Sequence, residues 1–208
     1  MNLPVVPFGK PRGERADAVR NRERLLQTAR EMIAECGTQK VTMDGLAERA
    51  GLGKGTVFRR FGTRAGIFQA LLDEDERRFQ EQVMFGPPPL GPGAGPVERL
   101  IAYGRARIAF LLDNHGTARA SLDRTKPIPV GGATMTRPHI RMLLGQIRPS
   151  PPYPDTLAVQ LTAALEGPLL LYLSMDEAAA EPAPEAHPLA ESWQNLIQRL
   201  LPEAHFPQ

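Results

Sequence analysis

Residues 41–72 read VTMDGLAERAGLGKGTVFRRFGTRAGIFQALL, and this window decides the fold. Apolar residues recur at helical spacing on both sides of Gly51-Leu52-Gly53, which reads as a short turn. Thr42 is the candidate N-cap of a helix that ends at Ala50, with Leu46, Ala47 and Ala50 turned inward. A second short helix follows from Lys54 to Phe61. In it Val57 and Phe61 lie four apart and should pack on Leu46, Ala47 and Leu52. Lys54, Gly55, Phe58 and Arg59 then share the opposite, basic face. Two short helices joined by a glycine-containing turn form a helix-turn-helix, whose second helix fits the major groove of DNA.

The surroundings support this reading. Upstream, Leu25, Leu26, Ala29, Ile33 and Cys36 mark a first helix closed by Gly37. Downstream, Ile67, Phe68, Leu71, Leu72, Phe79 and Val83 mark a fourth, beginning after Thr63. None of the 21 prolines lies between Pro11 and Pro87, so the whole stretch is free to be helical. Met1 to Ala16 is a Pro/Gly/Arg arm whose Lys10, Arg12 and Arg15 are candidates for an adjacent minor groove, with a plain flexible tail as the alternative. Residues 1–64 carry 13 Lys+Arg against 7 Asp+Glu, while 65–208 carry 12 against 16. A basic head on an acidic body points to a polyanion partner for the head alone.

Here the residues resemble the TetR family of repressors. Lys54-Gly55-Thr56-Val57-Phe58-Arg59-Arg60-Phe61, followed by Gly62-Thr63-Arg64, is similar to that family's recognition helix and the start of its fourth helix. Thr42 to Gly51 resembles its second helix. The resemblance implies an all-α protein: a basic arm (1–16), a helix-turn-helix domain (17–63), and a larger helical ligand-binding and dimerisation domain (64–208). It also implies a homodimer on a palindromic double-stranded operator, released by a small-molecule effector. Two departures stand out. Gly53 replaces a frequent serine and removes an N-cap hydroxyl, and Phe58 replaces a common tyrosine and its phenol.

Roles follow from side-chain chemistry. Arg59 suits bidentate readout of a guanine edge, and Lys54 reaches a base or a phosphate. Thr42, Thr56, Arg60 and Arg64 read as phosphate clamps, which position a protein without reading sequence. Gly55 lets the backbone approach closely.

Further helices are expected over Val97–Asn114, near Arg119–Asp123, and over Pro138–Ile147, Asp155–Met175 and Leu189–Leu201. Leu169-Leu170-Leu171-Tyr172-Leu173 makes the helix after Pro154 apolar on every side, so it needs burial on every side. In the resembled family the last two helices pair with their copies. Leu161, Leu165, Trp193, Leu196 and Leu200 are therefore the expected dimer interface. Pro168 inside that helix removes a ladder hydrogen bond and opens room beside it. Tyr103, Arg107, Phe110, Met142, Gln146, Glu166 and Tyr172 are the expected lining of an effector site there.

Other classes fit poorly. The four histidines are scattered without metal-ligand spacing, and neither a phosphate-binding glycine loop nor a nucleophile elbow occurs, so no metal, cofactor or enzymatic activity is expected. Cys36, the single cysteine, permits no internal disulfide. Thr156–Met175 is long enough to span a bilayer. However, Gln160, Glu166, Gly167 and Pro168 interrupt it, and a cytoplasmic protein without a membrane partner is the better expectation. A ligand-independent DNA binder or activator, and an all-helical protein-interaction module, remain open as alternatives.

Overall fold

The computed structural model describes residues 12–122, 135–174 and 186–201, with the backbone alone at 12–16 and 186–187. Among them nine α-helices run in order and no strand occurs. They are α1 (Arg12–Cys36), α2 (Met43–Ala50), α3 (Lys54–Phe61), α4 (Arg64–Phe85), α5 (Pro96–Asp113), α6 (His115–Ser121), α7 (Thr136–Gln146), α8 (Pro154–Ser174) and α9 (Ala186–Leu200). The chain divides into two compact units, a head ending at Leu71 and a body from Leu72.

In the head, α1 to α3 and the first turns of α4 bury Leu25, Leu26, Ala29, Val41, Leu46, Ala47, Val57, Ile67, Phe68 and Leu71. The division falls inside α4, not at the expected 63/64, because Ile67, Phe68 and Leu71 belong to the head's core. The Thr42 hydroxyl caps α2 by accepting from the Gly45 N–H at 3.0 Å. Gly51 ends α2 in the left-handed region, φ 63°, and its N–H bonds the Ala47 and Glu48 carbonyls. That conformation favours glycine and turns the chain directly into α3. Gly53 leaves α3 without a side-chain cap, as its lack of a hydroxyl dictates. Of the arm expected over 1–16, residues from Arg12 onward are already helical. Lys10 and the side chains of Arg12 and Arg15 lie outside the described residues.

In the body, α5 is central and packs against α7, α8 and α9. Its inner face presents Val97, Leu100, Tyr103, Gly104, Arg107, Ile108 and Leu112, an i, i+3, i+4 stripe. Gly104 sets the α5–α9 distance. A Cβ there would lie 1.9 Å from Trp193 Nε1, so only glycine admits the indole. The Trp193 N–H donates to the Leu100 carbonyl at 3.2 Å. Ala158, Leu161 and Leu165 turn α8 into the same core as Ile140, Leu143, Leu144 and Ile197. The helix α8 is long and apolar enough to cross a membrane, but this stripe is packed on protein.

Candidate functional site

The exposed side of α3 is the basic face anticipated above. Val57 is fully buried, while Lys54, Gly55, Phe58, Arg59 and Arg60 are exposed. The Arg59 Nε donates back to the Gly55 carbonyl at 3.2 Å, one turn earlier. Its two terminal nitrogens have no partner among the described residues, which leaves the fork that suits a guanine edge. Lys54 pairs with Asp44 at 2.9 Å, both well exposed. Such a pair is worth little in water and exchanges readily for a phosphate. Thr42 is exposed; its oxygen holds the α2 cap, and the hydroxyl proton remains to donate. Thr56 is half-buried on the flank of α3.

Two of the expected clamps are committed inward. Arg60 donates to the Ala18 carbonyl of α1 at 2.7 Å. Arg64 donates from Nε to the Val41 carbonyl at 2.7 Å and from Nη2 to the Thr38 carbonyl at 2.5 Å, and it stacks over Phe68 at 4.9 Å. Arg64 is thus a brace that ties the first turn of α4 to the junction before α2, in place of the phosphate clamp its position suggested. Arg64→Ala should destabilise the head by about 2 kcal/mol, since partly buried charge-assisted bonds are lost. Chemical denaturation checks this; unchanged stability with a shallower salt dependence of DNA binding would restore the clamp.

The body holds a buried polar cluster. Arg107 is buried and pairs with Glu76 at 2.5 Å and with Glu166 at 3.6 Å. Its guanidinium lies 5.6 Å from the Phe79 ring and 5.1 Å from that of Phe110. Beside it the Tyr103 hydroxyl donates to Thr136 Oγ1 at 2.9 Å, and burial pushes its pKa up to about 12. His139 stacks on Tyr103 with ring centroids 4.7 Å apart. Burial first, then the charge of Arg99, pulls the His139 pKa down to about 4, so the ring is neutral at pH 7. Its Nε2 has no hydrogen-bond partner among the described residues.

Four of the seven expected effector residues, Tyr103, Arg107, Phe110 and Glu166, therefore come together. Met142 and Gln146 do not. They are exposed because α7 turns Thr136, His139, Ile140 and Leu143 inward instead. Tyr172 belongs to another group, with Arg119 4.3 Å over its ring and His115 edge-on at 5.3 Å. Sequence reasoning missed Glu76, Phe79, Thr136 and His139. A histidine and a glutamate inside otherwise apolar helical stripes were the available signal.

A groove does open beside Pro168, with a different lining. It is bordered by Ile108, Ala164, Pro168, Leu189, Ser192, Trp193 and Leu196. The expected dimer residues split as well. Leu161, Leu165 and Trp193 are buried in the chain's own core and cannot face a partner, whereas Leu196 and Leu200 are exposed. Val159 and Leu171, on the open side of α8, are exposed with them.

The described helices thus make a helix-turn-helix unit followed by a larger helical unit. Residues 25–71 match the model of "Bacterial regulatory proteins, tetR family". The HTH-type transcriptional repressor AcnR of Corynebacterium efficiens is 37% identical over 65 residues, 31% of this chain and 35% of that one. An HTH-type transcriptional repressor of Mycobacterium tuberculosis is 30% identical over 142 residues, 67% of this chain and 64% of that one. The chain thus spans about a third of the first relative's length and just under two thirds of the second's. Among solved structures, a TetR-family regulator from Pectobacterium atrosepticum has a TM-score of 0.61 at 19% identity, covering 92% of this chain and 99% of its own. A SmeT–triclosan complex has a TM-score of 0.55 at 17% identity, covering 90% of this chain and 95% of its own. Residues 25–71 thus resemble the tetR family's helix-turn-helix domain, and the chain as a whole shares the fold of TetR-family structures.

Proposed function

We propose that this protein is a DNA-binding transcriptional repressor. It acts as a homodimer on a palindromic operator in the cytoplasm and is released when a small-molecule effector enters the body. The observation that carries the reading is the exposed basic face of α3, where the two terminal nitrogens of Arg59 have no partner among the described residues. Relatives named as repressors support it. Dimerisation is supported by the open apolar residues Val159, Leu171, Leu196 and Leu200, which a lone chain leaves in water. The effector site is supported by the Pro168 groove and the Arg107 cluster, and one neighbour of the same fold is a complex with triclosan. No enzymatic role is proposed.

The test is selection of duplexes from a random-sequence pool, followed by sedimentation and gel shift of the selected site. Two protomers should bind one pseudo-palindromic duplex, with half-sites about one helical turn apart. Arg59→Ala should lose about 1–3 kcal/mol and relax preference at one base pair of each half-site. Unchanged affinity and preference in that variant would sink the assignment.

A further inference from the structure

Phe58 is the anomaly of the exposed α3 face. It is an aromatic side chain 51% exposed, set among Lys54, Arg59 and Arg60, while the inner side of the helix is already filled by Val57. Phenylalanine carries no polar tip, so it can bond neither a phosphate nor the hydrogen-bonding edge of a base. Three residues earlier, on the same face, stands Gly55. A Cβ at Gly55 would meet nothing within 4 Å, and its backbone is ordinary helix, so neither packing nor conformation within the chain asks for glycine there. The missing side chain leaves the outside of α3 open at that point, one turn before Phe58. The Arg59 side chain, bonded through Nε to the Gly55 carbonyl at 3.2 Å, lies on the same exposed side of the helix.

An exposed apolar ring beside open backbone fits an apolar contact group. A DNA major groove displays one apolar group, the 5-methyl of thymine. Resting on the DNA-binding reading above, we infer that Phe58 is a specificity residue. It reads the methyl group of one thymine in each half-site, with room to approach left by the bare backbone at Gly55, next to the base that Arg59 contacts.

The probe is the duplex selected from the random pool. Each thymine is replaced in turn, symmetrically in both half-sites, by deoxyuridine, which keeps the pairing and removes only the methyl. At one position the wild-type protein should lose roughly fourfold in affinity per half-site, the worth of one buried methyl. Phe58→Ala should bind the thymine duplex at that weakened level and be indifferent to uracil at the same position. Phe58→Leu, still apolar, should keep part of the discrimination. Because Phe58 is half exposed, circular dichroism should show the variants folded as the wild type is. The inference is overturned if the wild-type protein ignores uracil at every thymine, if the selected site holds no thymine, or if Phe58→Ala retains the full methyl preference. A wild-type chain that enriches no duplex at all overturns the DNA-binding reading and this inference together. It is told apart because the selection itself then fails.

Discussion

Gly104→Ala should destabilise the body by about 3 kcal/mol or more, although it adds a single methyl group. The added carbon would sit 1.9 Å from Trp193 Nε1, 2.1 Å from Cε2 and 2.5 Å from Cδ1, all atoms of a rigid ring. The indole is 3% exposed and walled by the α5 and α9 core, so it has no free rotamer to retreat into. Forcing it aside overpacks the core, at about 1–3 kcal/mol. It also breaks the Trp193 bond to the Leu100 carbonyl, at about 1 kcal/mol, with a further penalty if the N–H stays buried and unpaired. A double-mutant cycle identifies the cause. In a Trp193→Leu background, itself destabilised by the lost ring, Gly104→Ala should be nearly neutral. Denaturant midpoints of the four proteins decide, and an equal penalty for Gly104→Ala in both backgrounds would mean that something other than the ring excludes a side chain.

The same contact shows where the sequence stops being legible. All nine helices are expected from proline breaks and apolar spacing, because these signals are local. Which side of α9 faces its own chain is not local. Leu189, Trp193, Leu196, Ile197 and Leu200 form one stripe on paper, yet Ala190, Trp193 and Ile197 turn inward while Leu196 and Leu200 are exposed. The difference arises because Gly104, far away in sequence, lets the indole approach α5. In α8, apolar on every side, nothing in the sequence distinguishes the buried Leu161 and Leu165 from the open Val159 and Leu171. The basic face of α3 was readable, since Val57 in and Arg59 out is a matter of helical period. Arg64 was not, because its acceptors at Thr38 and Val41 precede it by more than twenty residues and are backbone atoms. For α7 the period itself was readable but the phase was misjudged. Met142 and Gln146 fall on the outer side once His139 is accepted as a core residue.

Arg107→Met should be as damaging as the loss at Gly104, for electrostatic reasons. The substitution roughly preserves volume and the apolar contacts with Phe79 and Phe110. It also removes a cation that the structure pairs with both Glu76 and Glu166. Those carboxylates are 21% and 19% exposed, so solvent replaces only part of the lost partner. Breaking a buried pair from one side generally destabilises by about 3–5 kcal/mol, because the remaining charge stays desolvated. Removing all the charges together has a different sign of consequence. Arg107→Met combined with Glu76→Gln and Glu166→Gln should recover most of the loss, since none of the three charges of this cluster is then left desolvated without its partner. The measurement is urea denaturation of the single and triple variants at pH 7. A triple variant no more stable than Arg107→Met would show that the shape of the guanidinium between the two rings, and not its charge, holds α4, α5 and α8 together.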